Sequence, residues 1–200
     1  DYCRHNIFEP LGIYDISLGR NLQEYRLPNE VKYYEHSASI PKLSVYGSGE
    51  IVPASYGGND IESLGGAGAW IATAPDLMKF MLAVDGLDYN PDILSESSVR
   101  QMTDATNGYA PLGWKTAFAN GVWWRTGFYP GTTSMMKRMP NGVEWVVLMN
   151  TSAWNGPELT NDINALMNRV FTQVKEWPDV DLLRYSVPVP LKEDVKGEKD

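Results

Sequence analysis

One short run of the sequence combines the residue types that bind an anionic carbonyl compound. Arg125, Thr126 and Gly127 are consecutive, at the end of a β-type run rich in aromatic residues. An arginine can pair with a carboxylate, a neighbouring hydroxyl can orient it, and a glycine allows a ligand to approach the backbone. The residues by themselves fit an alternative equally well, in which an edge strand turns at Gly127 and Arg125 is simply solvated.

A serine nucleophile of the Ser-x-x-Lys type requires the serine at a helix start and the lysine one turn later on the same face. The spacing occurs twice. Ser39 and Lys42 enclose a proline, and the residues after them do not continue as a helix. Ser134 and Lys137 lie in a predicted strand, where residues three apart point to opposite faces. We therefore expect neither serine to act as a nucleophile.

The single cysteine invites a thiol-protease interpretation because a histidine follows it closely. Cys3 and His5 are two residues apart on a predicted helical turn, however, and such residues do not face each other. We expect Cys3 to be a buried structural residue. One cysteine and two histidines also cannot form a Cys/His zinc site.

Two acidic pairs and one glycine-rich stretch complete the candidates. Asp60 with Glu62, and Asp179 with Asp181, are carboxylate pairs of the kind that a glycosidase or a magnesium site uses, but they lie in acidic loops where such pairs are usually solvated. The glycines of 64–68 follow no apolar strand, so they do not predict a phosphate-binding loop. We expect no metal and no cofactor.

Composition excludes several classes of protein. The chain has 200 residues, with 17 Lys and Arg against 25 Asp and Glu, so its net charge is −8. A nucleic-acid-binding protein needs a basic face, which this balance argues against. The longest strongly apolar stretch, at 143–149, is far shorter than the roughly 20 residues of a membrane-spanning helix. We expect a globular domain that neither binds nucleic acid nor contains a membrane-spanning helix.

The first part of the chain, 1–110, reads as a segment of helices and long loops. Thr73 is a good N-cap for a helix that Gly86 should stop, and Ser95 caps a shorter predicted helix at 96–102. Between residues 20 and 68 the Pro, Gly, Ser and Asn content indicates loops, with one short predicted strand at 31–36.

The second part, 111–185, changes to β-type patterns followed by a helix of the same domain. We predict three antiparallel strands, at 112–118, at 121–126 with 131–138, and at 143–150, with a hairpin turn at Asn141-Gly142. An amphipathic helix is predicted at 157–176. The fold class is α+β, an antiparallel sheet packed against helices. The remaining residues, 186–200, form a charged tail that we expect to be disordered.

Three stretches together resemble one known family. Arg125-Thr126-Gly127 resembles the Lys/His-Thr/Ser-Gly motif of the serine β-lactamases and penicillin-binding proteins, particularly the branch of class C β-lactamases, D-alanyl-D-alanine peptidases and esterases. Residues 6–13, with Pro-Leu-Gly-Ile, resemble the "PLGM" segment of that branch, and 64–77, Leu-Gly-Gly-Ala-Gly-Ala-Trp-Ile-Ala-Thr-Ala-Pro-Asp-Leu, resembles its helix entry. The similarity spans about residues 2–175 in the order of the family.

The resemblance implies a partial β-lactamase/transpeptidase-like fold and the C-terminal part of a serine hydrolase that acts on amide, lactam or ester carbonyls. In that family the nucleophile motif and the Tyr-x-Asn motif lie upstream, and this sequence has no convincing equivalent of either. We therefore expect the chain to be a fragment that is inactive alone, with the missing N-terminal part of the protein as its partner. Family members are commonly exported to the periplasm or cell envelope, which is the localisation that the resemblance implies.

The resemblance also implies roles for four residues. Arg125, Thr126 and Gly127 would bind a small-molecule or peptide substrate: Arg125 would hold its carboxylate, Thr126 would hydrogen-bond it, and Gly127 would let it lie along the strand edge. The backbone N–H of Phe128 would supply half of an oxyanion hole. Arginine replaces the usual lysine or histidine, and it cannot serve as a proton shuttle near neutral pH.

A different class of function remains open. The aromatic residues 123, 124, 128, 129 and 154 could supply a groove for a peptide or glycan on a non-catalytic binding domain with the same scaffold. A Ser-x-x-Lys at a helix start upstream of residue 1 would favour the hydrolase. A fragment of this kind would expose sheet edges, so we also expect self-association.

Overall fold

The computed structural model describes residues 2–104, 106 and 109–183. The predicted tail at 186–200 lies outside the described residues. The predicted boundary between the two segments of the domain, near 110, falls in the loop that leads into the main sheet.

The chain begins with a helical turn at Arg4–Phe8, which continues as a 3₁₀ turn at Glu9–Leu11. Gly12 ends it in the left-handed conformation, with φ of 66°, as the Pro-Leu-Gly sequence predicts. The buried side chains of Phe8, Ile13 and Ile16 form a small core beneath this turn.

Residues 17–72 form a long loop region with two small antiparallel ladders. Strand β1 (Ser17–Leu18) pairs with β4 (Trp70–Ile71), and β2 (Lys42–Leu43) pairs with β3 (Ile51–Val52). A 3₁₀ turn occupies Gln23–Tyr25.

The predicted strand at 31–36 is wrong. Within that segment only Tyr34 makes a β-bridge, parallel to Thr151. The backbone of Tyr34 bonds to Asn150 and Ser152, while its neighbour Glu35 accepts hydrogen bonds from the N–H and the hydroxyl of Ser55. Side-chain bonds of this kind replace the ladder that a longer strand would require.

Helix α1 spans Ala74–Met81 and α2 spans Glu96–Thr103. The predicted caps are confirmed: Thr73 Oγ1 accepts from the N–H of Asp76, and Ser95 Oγ accepts from the N–H of Ser98. Helix α1 ends five residues before Gly86, because i to i+3 turns at residues 83 and 84 tighten the chain.

The main sheet has four antiparallel strands in the order β5-β6-β7-β8. Their bounds are Thr116–Ala117, Trp123–Tyr129, Thr132–Arg138 and Glu144–Met149. The prediction of three strands is therefore wrong in number, since 121–126 and 131–138 correspond to two strands joined at Pro130 and Gly131. Strand β5 is much shorter than predicted because Gly113, with φ of 76°, turns the chain just before it.

Helices cover both faces of this sheet. Met81 of α1 and Val99 of α2 pack with Trp123 on one face. Helix α3 (Leu159–Gln173), which follows a 3₁₀ turn at Gly156–Glu158, covers the other through Ile163, which packs with Met135 and Trp145. The observed class is α+β with an antiparallel sheet between helices, as predicted.

Candidate functional site

The outer edge of β6 is open where the candidate triplet begins. Strand β5 pairs only with Trp123 and Trp124, and among the described residues no strand covers β6 from Arg125 to Tyr129. The N–H of Lys115 donates to the carbonyl of Trp124, so the backbone groups of even-numbered residues face this edge. By the alternation of an antiparallel strand, the N–H groups of Thr126 and Phe128 face it too.

Arg125 lies on the same face of the sheet as Trp123, the face that α1 and α2 cover, but its side chain is exposed. Its guanidinium makes no hydrogen bond or ion pair with any residue that the structure describes. A cation at an open strand edge with no internal partner is available to an anionic ligand.

Thr126 points to the opposite face, toward α3. There it lines a small pocket with Trp124 and Lys137. Arg125 and Thr126 therefore cannot act on a ligand that sits on one face of the sheet. Only a ligand that lies across the open edge of β6 can contact both side chains.

Gly127 lies directly opposite Ser134 in the β6–β7 ladder. A Cβ atom at position 127 would overlap Ser134 Oγ, so any side chain there would displace the serine hydroxyl. The sequence predicts that the glycine gives a ligand access to the backbone. The contact with Ser134 is a second reason for a glycine at this position.

The tip of β6 is held by loops from the first half of the chain. Tyr129 Oη donates to the carbonyl of Ala67 at 3.1 Å, and a Cβ at Gly68 would lie 2.7 Å from the tyrosine ring. At the turn that follows, a Cβ at Gly131 would meet Tyr33 at 2.9 Å. These contacts leave the loops little freedom and form a wall at one end of the open edge.

The same contacts bring the three resembling stretches together. The stretch at 64–77 touches β6 through Ala67 and Gly68, and it touches the stretch at 6–13 through Trp70, whose ring lies edge-to-face on Phe8 at 5.2 Å. The three stretches are far apart in the sequence but contact one another in the fold, at the end of β6.

Neither Ser-x-x-Lys match is a nucleophile pair. Ser39 Oγ donates to Glu35, while Lys42 Nζ donates to Asn59 Oδ1 at 3.4 Å. Ser134 and Lys137 lie on opposite faces of β7, as predicted, and the lysine is bonded to α3. Ser134 lies beside the candidate site but has no described base to accept its proton.

The cysteine and the first acidic pair, Asp60 with Glu62, take structural roles. Cys3 packs against the small N-terminal core but is only partly buried, rather than buried as predicted, while His5 contacts Glu9 at 2.9 Å. Asp60 and Glu62 both accept hydrogen bonds from Asn21, and hydrogen bonds from Ser63 and then from Asn21 hold the pKa of Asp60 below its usual value. Among the described residues no group of three or more His, Cys, Asp or Glu is arranged to hold a metal ion.

The five aromatic residues do not form one surface. Trp123 is buried under α1 and α2, where it packs on Trp114, while Trp124 faces α3 and packs on Phe118. Trp154 is 82% exposed. Strand alternation places Trp123 and Trp124 on opposite faces of the sheet, as their adjacent positions in the sequence already imply.

Sequence reasoning missed a buried acidic cluster at the other end of the sheet. The Glu144 side chain is 3% exposed, and neither carboxylate oxygen has a hydrogen-bond partner among the described residues. Burial, and then the charge of Asp85, raises the pKa of Glu144 to about 8, although Arg138 Nε lies 3.9 Å away. The only sequence signal was a charged residue at the start of an apolar strand.

The comparisons with known proteins agree with the fold. The chain matches a solved structure of a penicillin binding protein from Bacillus halodurans with a TM-score of 0.52 and 18% sequence identity. The match covers 85% of this chain and 48% of that one, so the chain spans about half the length of that structure. No curated protein matches.

Two further observations bear on the class of protein. None of the helices in the described part of the chain is long and apolar enough to cross a bilayer. The family model named Beta-lactamase matches residues 1–166, which is most of the sequence. The chain therefore belongs to the β-lactamase family.

Proposed function

We propose that this chain provides the substrate-binding side of a serine acyl-transfer site that acts on amide, lactam or ester carbonyls. The observation that carries the proposal is the open edge of β6, where the unpaired guanidinium of Arg125 and the outward-facing N–H of Phe128 occur within four residues. Membership of the β-lactamase family supports small-molecule or peptide substrates.

In the proposed site Arg125 pairs with a carboxylate of the substrate, and Thr126 donates a hydrogen bond from the other side of the strand edge. A serine from another segment attacks the carbonyl carbon, and the leaving group departs as the acyl-enzyme forms. The N–H of Phe128 donates to the carbonyl oxygen as it becomes negative. One such donor is worth about 2.7–4 kcal/mol of transition-state stabilisation. Water then hydrolyses the acyl-enzyme.

Arg125 can bind the substrate in this site but cannot act as an acid or a base. A guanidinium is protonated at all accessible pH values, so it orients and neutralises a carboxylate but transfers no proton. The base that activates the serine must therefore be another group. Members of the family are often exported from the cytoplasm, and we propose the same for the whole protein.

The isolated chain tests this proposal. Incubation with a chromogenic β-lactam and with an activated ester should give no change in absorbance and no added mass, because Ser134, the serine opposite Gly127 in the ladder, has no described base beside it. A stable acyl adduct on this chain would contradict the proposed division of the site.

Binding gives the positive half of the test. Titration of the labelled chain with acetyl-D-alanyl-D-alanine, followed by amide chemical shifts, should perturb residues 125–128. Arg125→Ala should weaken binding by about tenfold, since a charge-assisted bond is lost. Arg169→Ala, at an exposed arginine of α3, is the matched control. Equal affinity of the two variants would contradict the role of Arg125.

A non-catalytic binding domain is the second candidate. The exposed Trp154 and the open edge of β6 favour it, because an extended peptide can add to such an edge as a further strand. A peptide that binds with equal affinity whether or not it carries a C-terminal carboxylate would favour this function over the hydrolase.

A further inference from the structure

A small pocket lies on the α3 face of the sheet, on the far side of β6 from Arg125. We propose that the pocket between Lys115, Lys137 and Thr126 binds a small oxyanion such as phosphate. The proposal goes beyond the function proposed above, because it concerns a different face of the strand and a ligand that need not react.

The pocket has the size and the lining of an anion site. Its volume is about 80 Å³, which suits a small tetrahedral oxyanion. Two lysines, the Thr126 hydroxyl and the amide of Asn164 line it, and none of the described residues that line it is acidic. The chain as a whole has a net charge of −8, so an average patch of its surface would be acidic, whereas this pocket is positively charged.

Lys137 is the central cation. Its Nζ donates to Asn164 Oδ1 at 2.7 Å, and it lies 6.0 Å from the centre of the Trp124 ring. The asparagine oxygen is therefore engaged by the lysine, while its amide group remains as a donor. Lysine has three N–H donors, so this bond leaves others for a ligand.

Neither lysine has a countercharge. No carboxylate of the described residues lies within 4.0 Å of Lys115 or Lys137, whereas three arginine–glutamate pairs are formed within that distance among the same residues. Burial lowers the pKa of Lys137, which means that its charge is partly removed from water without compensation. A bound anion would supply that compensation.

The experiment is a titration of the whole chain with sodium phosphate at constant ionic strength, with sodium chloride as the balancing salt. Amide and indole chemical shifts report binding. We expect saturable shifts at the Asn164 side-chain amide, the Trp124 indole and the Thr126 amide. A parallel titration with acetate separates phosphate recognition from recognition of any carboxylate, and saturation by either anion supports the site.

Lysine variants test the assignment. Lys137→Met should weaken phosphate binding by about tenfold, as expected for the loss of a charged partner. Lys42→Met is the matched control, because Lys42 makes the same kind of bond, to Asn59 Oδ1, on the exposed surface. Should Lys137→Met fail to fold, Lys115→Met, at an exposed residue, must weaken binding in the same direction.

Three results would overturn the inference. The first is a set of shifts that grow linearly over all surface lysines. The second is unchanged affinity in both Lys137→Met and Lys115→Met. The third is loss of the pocket shifts in Arg125→Ala, which would place the anion at the strand edge; retained pocket shifts with lost acetyl-D-alanyl-D-alanine binding would instead support two separate sites.

Discussion

Gly127 and Ser134 face each other across the β6–β7 ladder, and the serine hydroxyl occupies the space where a side chain at position 127 would begin. The close fit ties the backbone of the proposed site to one side chain of the neighbouring strand. It also explains why a glycine can be required at the site independently of any ligand.

This fit predicts a coupled pair of substitutions. Gly127→Ala should destabilise the chain by about 1–3 kcal/mol, the usual cost of an overpacked contact. Ser134→Ala in the same chain should recover most of that loss, since it removes the hydroxyl that the new methyl group meets. Urea unfolding of the two single variants and the double variant measures the coupling.

Gly66→Ala is the control for that cycle, because a Cβ at Gly66 meets no atom within 4 Å. It should leave the free energy of unfolding nearly unchanged. Strictly additive effects of Gly127→Ala and Ser134→Ala would show that the hydroxyl does not set the requirement for glycine.

The buried carboxyl of Glu144 predicts a pH dependence of stability. The carboxyl of an unfolded chain loses its proton near the ordinary value of 4.5, whereas the folded protein keeps it until about 8 because burial and Asp85 raise the pKa. Between these values the folded state binds more protons, so the free energy of unfolding falls as pH rises, by up to about 1.4 kcal/mol per pH unit. Burial raises the pKa of Asp85 as well, which acts in the same direction.

Glu144→Gln should reduce this slope, because the amide cannot ionise. Urea unfolding from about pH 5 to about pH 8 measures it, over the interval in which linkage acts. Glu24→Gln, at an exposed position, should keep the slope of the unaltered chain. A Glu144→Gln variant with that same slope would mean that the proton resides elsewhere.

The two helix caps predict smaller losses in the free energy of unfolding, one for each helix. Thr73 Oγ1 accepts from the N–H of Asp76 at 3.2 Å and donates to its carboxylate at 2.6 Å. Thr73→Ala should therefore cost about 1 kcal/mol, and Thr73→Ser should cost little. Ser95→Ala should have an effect of the same order in α2. Equal stability of Thr73→Ala and Thr73→Ser in urea would contradict the role of the hydroxyl.

The outer edge of β8 predicts self-association. Among the described residues no strand pairs with β8 beyond β7, and its residues 145–149 carry no charge. Such an edge can pair with another copy. Leu148→Lys should shift light scattering toward the monomer, whereas Leu166→Lys, at an exposed position of α3, should not. Monomers alone at high concentration of the unaltered chain would contradict the prediction.

Local signals predicted where helices α1 and α2 begin. The caps Thr73 and Ser95 act through neighbours three residues away, so the sequence contains all the information that they need. The strand ends were less predictable, because Gly113 shortens β5 through its backbone conformation rather than through any hydrophobic pattern. The loops at 19–68 are held by long-range side-chain bonds, such as Asn21 to Asp60, which no periodicity reveals.

The candidate site could be predicted only in part. The order of Arg125 and Thr126 along a strand implies that they point to opposite faces, yet their access to ligand depends on how little β5 covers. The pocket at Lys137 joins Lys115, just before β5, and strands β6 and β7 to Asn164 of α3, and the residues concerned are not close in sequence. The charge of Glu144 is visible in the sequence, but its burial is not.

The bridge between Tyr34 and Thr151 joins positions 117 residues apart, beside the wall of the open edge. During synthesis a ribosome would have to release the chain beyond residue 152 before Tyr34 could find both of its backbone partners, at Asn150 and Ser152. The nascent protein therefore cannot complete this bridge until all four strands of its main sheet have left the exit tunnel.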